Sequence, residues 1–469
     1  MRIEILNWGP IQRCEYDLDK SLIVTYGENN IGKSYAMQVV YLLLKNMRNF
    51  VDMRIHLGKY FSELDIEEKV IEEVVKDFSM EKTYSKEITG LVLSEYEKIL
   101  ENFLLKEFRA SLRNTFGTYE KMIDHNPKIT LDVGEGSNYV LLLKDNKVKA
   151  DIDTKKVYLK KTTSEFHKSR NYKEHYDIYV KDNLISTPIK LVRQRISDLT
   201  KEFVMDFRKW MRAVYFLPAS RSGIYTGMSS FGPIMAQLSQ NRAFFNRSFQ
   251  IPNIPEPISD YYMELSSIKA DKSLKFEEFA QEIEQSILKG EVKFDNKQKA
   301  LVYQGEATEQ SLEMNDVSSM VSEISPIVGY LKFIIKTGYS QNGKVSPVDK
   351  DAVSIIFIEE PEAHLHPLNQ IKLMKTFAKF SKSNIKLIIA SHSNYIFNEL
   401  NNRVIAGDLN KDTYSPIVMK MENGKSNTYY MDMDEFGVRD TNFADAAELL
   451  YDEREDLVME LMERLENEN

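Results

Sequence analysis

The stretch Gly27-Glu-Asn-Asn-Ile-Gly-Lys-Ser34 constrains this chain more than any other. It fits G-x-x-x-x-G-K-[ST], a loop whose backbone N–H groups can wrap a phosphate at the start of the following helix. The pattern is short, and its context gives it weight. The apolar run Ser21-Leu-Ile-Val-Thr-Tyr26 before it reads as a strand. After it, Met37, Val40, Tyr41, Leu44 and Met47 recur at helical spacing. Strand, glycine-bounded loop and helix in that order predict a phosphate cradle. Lys33 would reach the β- and γ-phosphates of a nucleotide, and the Ser34 hydroxyl would bind Mg²⁺. Gly27, Asn29, Asn30, Gly32, Lys33, Ser34 and Tyr35 are the expected nucleotide contacts.

The rest of the chain suits such a site. Its 469 residues are enough for two or three domains, and 42% hydrophobic with 28% charged is a globular composition. Charges interrupt every apolar run of the first thirty residues, so no signal peptide is expected. No stretch approaches the roughly 20 apolar residues of a membrane span. Cys14 is the only cysteine, which rules out an intrachain disulfide. A cytoplasmic protein with no membrane partner is the expectation. The net charge of −9 argues against an all-over nucleic-acid binder, but the charge is uneven. Residues 144–173 carry ten Lys/Arg against four Asp/Glu, and 434–469 carry thirteen Asp/Glu against three Arg. These are two solvated faces, or surfaces for two different partners.

Short strands are expected at "RIEIL", "CEYDL" and "SLIVTY". Charged helices follow over 55–125, short β-hairpins over 128–182, and a helix over 187–212. "AVYFLPASRSG" reads as a strand running into a turn, and "SSMVSEISPIVGYLKFIIKTG" as a loop into a helix. Residues 229–315 are mixed, with a loop at "IPNIPEPIS". "AVSIIFIEE" and "IKLIIASHS" are wholly apolar strands around the helix "HPLNQIKLMKTFAKFSK". Buried strands alternating with helices predict a parallel sheet covered on both faces. The tail 443–466 reads as an acidic amphipathic helix with Leu450, Leu457, Leu461 and Leu465 along one side.

Two of these strand ends carry further chemistry. Ile355 to Ile358 run into Glu359 and Glu360, and sheets of this class present their ligands at strand carboxyl ends. Glu359 would sit near the Mg²⁺, through water. Glu360 could orient or deprotonate the water that attacks the γ-phosphate. His392, just past the next apolar strand, could donate to a γ-phosphate oxygen. Lys33, Glu360 and His392 are the expected catalytic residues. Solvated acids and a structural histidine are the ordinary alternative, and the phosphate loop weighs against it.

The order of loop, double carboxylate and strand-end histidine resembles the ABC-type ATPase heads of the SMC and RecF-like superfamily. "EEPEAHLHP", "SHS" and "YFLPASRSG" are most similar to a bacterial branch of it. That branch includes the ATPase domain of overcoming-lysogenization-defect (OLD) nucleases and the ATPase subunits of anti-phage systems such as Septu and PARIS. The resemblance covers roughly 1–50 and 213–440. It implies an α/β P-loop head with a mainly parallel central sheet, ATP and Mg²⁺ as ligands, and heads that dimerise around two ATP molecules. A signature loop of one head would cap the γ-phosphate held by the other. The matching place is "DVSSMVSEIS", with Ser318 and Ser319 as capping hydroxyls. Met320 departs from the usual glycine there, and Glu359 stands where SMC heads usually have Asp. No glutamine-loop residue is assigned, since Gln38 lies early, on the first helix. Arg221 could reach phosphate or a dimer partner, or stabilise a turn.

The resemblance divides the chain into a first head segment (1–50), an inserted α+β arm or lid (51–212), a second head segment (213–440) and the acidic helix (441–469). The insert lacks sustained heptads, so it reads as compact and not as a rod. Its Lys155, Lys156, Lys160, Lys161, Lys168 and Arg170, interleaved with Tyr158, Phe166 and Tyr172, could hold a nucleic-acid backbone or an acidic protein. His364 and His366 beside Glu360 and Glu362 read as the loop after the carboxylates and not as a metal site. Asp432-x-Asp434 is only a fragment of a Toprim-like pattern, so no nuclease domain is expected in the chain. The implied role is an ATPase sensor or scaffold of an anti-phage complex. It would form a homodimer or higher homo-oligomer, control a separate effector nuclease, and respond to a nucleic-acid or phage-protein trigger. The alternative is a DNA-maintenance ATPase that binds DNA through the insert. A third reading is a head that binds ATP, barely turns it over, and serves as a regulated interaction module.

Overall fold

A computed structural model describes residues 1–56, 68–134, 136–164, 166, 168–181, 185–229, 254–268, 276–308, 310–335, 352–440 and 442–467. Residues 63–67 and 336–338, expected in helices, and 251–253, expected in a loop, lie outside these. In chain order the first elements are β1 (Arg2–Trp8), β2 (Ile11–Asp17), β3 (Leu22–Tyr26) and α1 (Lys33–His56). There follow α2 (Glu68–Met80), β4 (Ser85–Glu87), α3 (Thr89–Leu100), α4 (Lys106–Thr115) and α5 (Tyr119–Ile123). Then come β5 (Lys128–Asp132), β6 (Asn138–Leu142), β7 (Lys147–Asp151), β8 (Lys156–Lys161), β9 (Ser169–Asn171), β10 (His175–Val180) and α6 (Ser186–Trp210). The chain returns through β11 (Met211–Leu217), α7 (Arg221–Ser229), α8 (Glu256–Ser266), α9 (Glu277–Ile283), β12 (Gly290–Asp295), β13 (Ala300–Gly305), β14 (Ser311–Glu313) and α10 (Ser319–Gly329). The last group is β15 (Val353–Glu359), α11 (Pro367–Phe380), β16 (Ile385–Ala390), α12 (Asn394–Ile405), β17 (Tyr414–Glu422), β18 (Lys425–Tyr430), β19 (Met433–Asp434), β20 (Gly437–Val438) and α13 (Ala444–Asn467).

Eleven strands form one sheet in the order β11-β15-β16-β3-β17-β18-β2-β1-β5-β6-β7. The strands from β11 to β17 pair in parallel. Their side chains alternate between two cores, as the two-residue period of a strand requires. Ile355, Phe357 and Ile388 enter one core with α1, while Ile356, Ile358, Leu387 and Ile389 enter the other with α11 and α12. Apolar residues on both faces are why these strands read as unbroken hydrophobic runs. The expected α/β fold with a parallel central sheet is what the chain adopts.

Residues 51–212 do not stand wholly apart from this sheet. β5 pairs antiparallel with β1, and β6 and β7 continue outward, so the sheet runs into the inserted segment without a break. The remaining strands form a four-stranded sheet β4-β8-β10-β9. Simple hairpins were expected here, yet β8 and β10 pair in parallel, with β9 antiparallel on the outer side of β10. "PASRSG" also differs from the turn expected: Arg221 opens α7. In α13, Leu450, Leu457 and Leu461 all face outward, 55–63% exposed. Among the described residues no helix is long and apolar enough to cross a membrane.

Candidate functional site

The site grows out of strand register. Glu359 of β15 pairs with Ala390 of β16, and Ala390 pairs with Thr25 of β3. Three strands therefore end side by side, and the chain leaves each at the same edge: into Glu360, into His392, and into the loop 27–34. The loop's glycines are conformational requirements. Gly27 has φ +141°, and a Cβ there would lie 2.5 Å from the Met419 carbonyl oxygen of β17. Gly32 has φ +99°, and Asn30 adopts the left-handed region at φ +61°, which Asn tolerates. We expect Gly27→Ala to cost about 1–3 kcal/mol through backbone strain, before any contribution from the clash. A lower melting temperature together with weaker nucleotide binding would show it.

Lys33, the first residue of α1, is 5% exposed. Its Nζ donates to the carbonyls of Gly27 at 2.8 Å and Glu28 at 2.5 Å, and lies 3.3 Å from His392 Nδ1. Burial pushes the ammonium down to about 8, against the pull of Glu360, Glu362 and Glu28. Burial and the Lys33 charge likewise hold His392 below its ordinary value, with Glu360 pulling the other way. His392 is therefore neutral at pH 7. Toward Lys33, which has only donors, Nδ1 can only accept, while the Gly27 carbonyl, as an acceptor for the ring, also opposes the fall. Nε2 stands 3.8 Å from Glu360 Oε1. Lys33, His392 and Glu360 thus form one line across the strand ends.

Glu359 is 5% exposed. Its Oε2 accepts from the Ala219 N–H at 3.3 Å. Burial raises its pKa, and hydrogen bonding from Ser34 and Gln38 opposes the rise. Although both side chains approach, Oε1 completes no hydrogen bond of good geometry among the described residues. A buried carboxylate oxygen left over beside a hydroxyl and an amide is an all-oxygen donor set, which suits a hard divalent cation such as Mg²⁺. Gln38 lies one helical turn after Ser34, so its i+4 position put it on the same face and was the signal that could have revealed it. Glu362 is the other group the sequence reading did not use. Its Oε1 accepts from Ser391 Oγ at 2.8 Å and from the His392 N–H at 2.6 Å, which fixes the histidine's backbone.

Other expected contacts fall as follows. Asn29 and Asn30 are exposed at the mouth of the loop, and Tyr35 is 37% exposed with its ring 5.1 Å from that of Phe116. Ser318 and Ser319 stand outside the cluster, exposed at the N-terminus of α10, where Ser318 Oγ caps Val321 N at 3.4 Å. Arg221 is fully buried and meets only protein acceptors. His366 caps α11 through Nδ1, and among the described residues no group of His, Cys, Asp or Glu is placed to hold a metal as a cluster. In the basic stripe, Lys160 pairs with buried Asp177 at 2.8 Å. Lys155 donates to Asn171 and Tyr172, and Lys161 to the Ser79 and Glu81 carbonyls. Those three lysines tie the small sheet together.

The pKa of Lys33 sets a pH dependence. Bound phosphate oxygens would raise that pKa above its free value of about 8. Below pH 8 the ammonium is charged with or without ligand, and affinity is independent of this group. Above pH 8 binding must take up a proton, so affinity falls by up to about tenfold per pH unit until the bound-state pKa is reached. Calorimetry at pH 8.5 in buffers of different ionisation enthalpy should register that uptake.

The profile of the AAA ATPase domain family matches residues 1–397. No curated protein matches the chain. Among solved structures, an SMC head bound to the C-winged helix domain of ScpA shares 10% identity, with a TM-score of 0.34 over 92% of this chain and 98% of that one. An SMC head domain from Thermotoga maritima shares 8%, with a TM-score of 0.32 over 92% and 98%. An SMC head with an extended coiled coil, bound to the C-terminal domain of ScpA from Pyrococcus furiosus, shares 11%, with a TM-score of 0.33 over 97% and 98%.

Proposed function

The chain belongs to the AAA ATPase domain family, and on that premise we propose that it is an ABC-type ATPase, two copies of which close around two molecules of ATP. The observation that carries this reading is the line Lys33–His392–Glu360, with separations of 3.3 and 3.8 Å, at the ends of adjacent parallel strands. The β- and γ-phosphates lie in the loop 27–34 at the N-terminus of α1. Lys33 exchanges the Gly27 and Glu28 carbonyls for phosphate oxygens. Ser34, and Glu359 through water, would hold Mg²⁺, which supplies neutralising charge to the phosphates. Glu360 orients the attacking water and accepts its proton. His392 donates a hydrogen bond from its ring to a γ-phosphate oxygen. Ser318 and Ser319 of the second copy bring the end of α10 to the same phosphate.

In the cell the dimer acts as sensor and scaffold of an anti-phage defence complex, in the cytoplasm, and keeps a separate effector nuclease silent until infection. The resemblance of "EEPEAHLHP" and "SHS" to the defence-related branch supports this, and so does the outward apolar side of acidic α13 as a surface for the effector. Binding and turnover have different roles because open and closed dimers differ in their affinity for ATP. The test is purification of tagged Glu360→Gln protein from its own host in magnesium ATP, followed by native mass spectrometry. A second protein in fixed ratio, bearing nuclease motifs, is the expected result. A bare homodimer, or one carrying only nucleic acid, would sink the effector reading and favour a DNA-maintenance ATPase.

A further inference from the structure

Arg221 is among the largest fully buried side chains of the molecule, and it is charged. Its guanidinium makes four hydrogen bonds, all to backbone carbonyls. Nε donates to the Glu323 carbonyl at 3.1 Å, and Nη1 to the carbonyls of Pro218 at 3.2 Å and Glu359 at 2.7 Å. Nη2 donates to the Glu360 carbonyl at 3.2 Å and lies 3.4 Å from Glu323 Oε2. The Glu323 carboxylate, 1% exposed, in turn accepts from the N–H groups of Arg221 and Ser222, each at 3.1 Å, and from Ser222 Oγ at 2.6 Å. A buried ion pair is a poor way to gain stability, since desolvation offsets most of the attraction. This pair does something apolar packing could not: it runs directed hydrogen bonds between two pieces of the site.

One piece is α10. Glu323 stands four residues after Ser319, one turn along the same face and roughly 6 Å down the axis. The other is the backbone that aims Glu360. Its φ of +44° is the left-handed region, costly for a residue with a side chain and kept only where the surroundings enforce it. The Arg221 guanidinium grips the carbonyls on both sides of that residue's amide, while the Glu360 N–H is held by Ala390 at 2.9 Å.

We propose that Arg221 and Glu323 form a strut that carries the position of α10 to Glu360. The proposal rests on the closed-dimer reading above. There the end of α10 touches the ATP of the opposite copy, whereas Glu360 serves the ATP of its own. The strut therefore links the two ATP sites: capture of nucleotide by Ser318 and Ser319 in one site sets the glutamate of the other. Arg221 and Glu323 are positioning residues and touch neither nucleotide nor water.

The experiment compares wild type with Glu323→Gln, which keeps the shape and one acceptor oxygen, and with Arg221→Lys. It measures melting temperature, affinity for a fluorescent ATP analogue, ATP-driven dimerisation in the Glu360→Gln background, turnover and its Hill coefficient. Glu323→Gln should bind nucleotide within about threefold of wild type yet turn over at least tenfold more slowly, the scale typical of lost positioning contacts. Its Hill coefficient should fall to about 1 from a value approaching 2, the limit for two sites. Arg221→Lys should show the same split more strongly, because an ammonium cannot hold four acceptors in a plane. Glu360→Gln protein that stays monomeric in ATP overturns the dimer reading, and the strut with it. A wild type that dimerises and is cooperative, with Glu323→Gln equally cooperative and equally fast, overturns the strut alone. Parallel losses of folding and binding in both variants also overturn it, since a merely structural pair would behave that way.

Discussion

Glu360→Gln is expected to lower ATP turnover by about 100- to 10,000-fold, the usual contribution of a general base, while ATP binding stays within a few fold. The amide keeps the size of the carboxylate but cannot accept the proton of the attacking water. The side chain is 44% exposed and stands 3.8 Å from His392, so the substitution removes chemistry and leaves packing intact. Closed dimers should accumulate because the step that opens them fails. Phosphate release and light scattering on the same sample test both halves. Turnover at the wild-type rate would remove Glu360 as the base and move attention to water held by other groups. Slow turnover without dimers would separate the chemistry from the assembly.

Lys33→Ala is expected to weaken ATP binding by about 10- to 100-fold, since a hydrogen bond from a charged donor to an anion contributes about 1.5–3 kcal/mol. The free protein should not pay for it in stability. Lys33 is a buried ammonium whose pKa is pushed down to about 8, so its charged form is a burden the fold carries for its ligand. Differential scanning calorimetry should find the melting temperature of free Lys33→Ala at or above wild type, and ATP should no longer raise it. A variant that melts well below wild type without ligand would show that the bonds to Gly27 and Glu28 are structural.

What could be read from the sequence was local. The loop 27–34 announces itself because its chemistry needs glycine and lysine at fixed spacing. The strands ending at Glu359 and Ala390 announce themselves because burial on both faces leaves only apolar residues. Pairings between distant segments left no such mark. Nothing in "KITLD" says that it adds to "RIEIL", which precedes it by more than a hundred residues. Arg221 looked like a turn residue or a phosphate ligand, because a sequence does not say which arginine is enclosed by carbonyls. Lys155, Lys160 and Lys161 looked like a binding stripe, since a lysine paired with a buried Asp177 is spelled like a free one. Gln38 comes too soon for a glutamine loop, yet its four-residue distance from Ser34 is what brings it to Glu359.

The long sheet also has a mechanical character. Its thinnest seam lies between β18 and β2, where Ser426 pairs with Ile11 and Asn427 with Arg13 across a register break. The seam is stitched at its top by Ser426 N to the Pro10 carbonyl and Lys425 Nζ to the Gly9 carbonyl, each at 2.8 Å. Pro10 is also the nearest neighbour a side chain at Gly32 would meet, at 3.2 Å. The phosphate loop therefore rests beside the line where β3 and its parallel neighbours meet β2, β1 and β5–β7. The far edge of that outer group is closed by Glu97 and Glu101, which accept from the Ala150 and Val148 N–H groups of β7. Nucleotide in the loop would add contacts where the sheet's own pairing is sparsest.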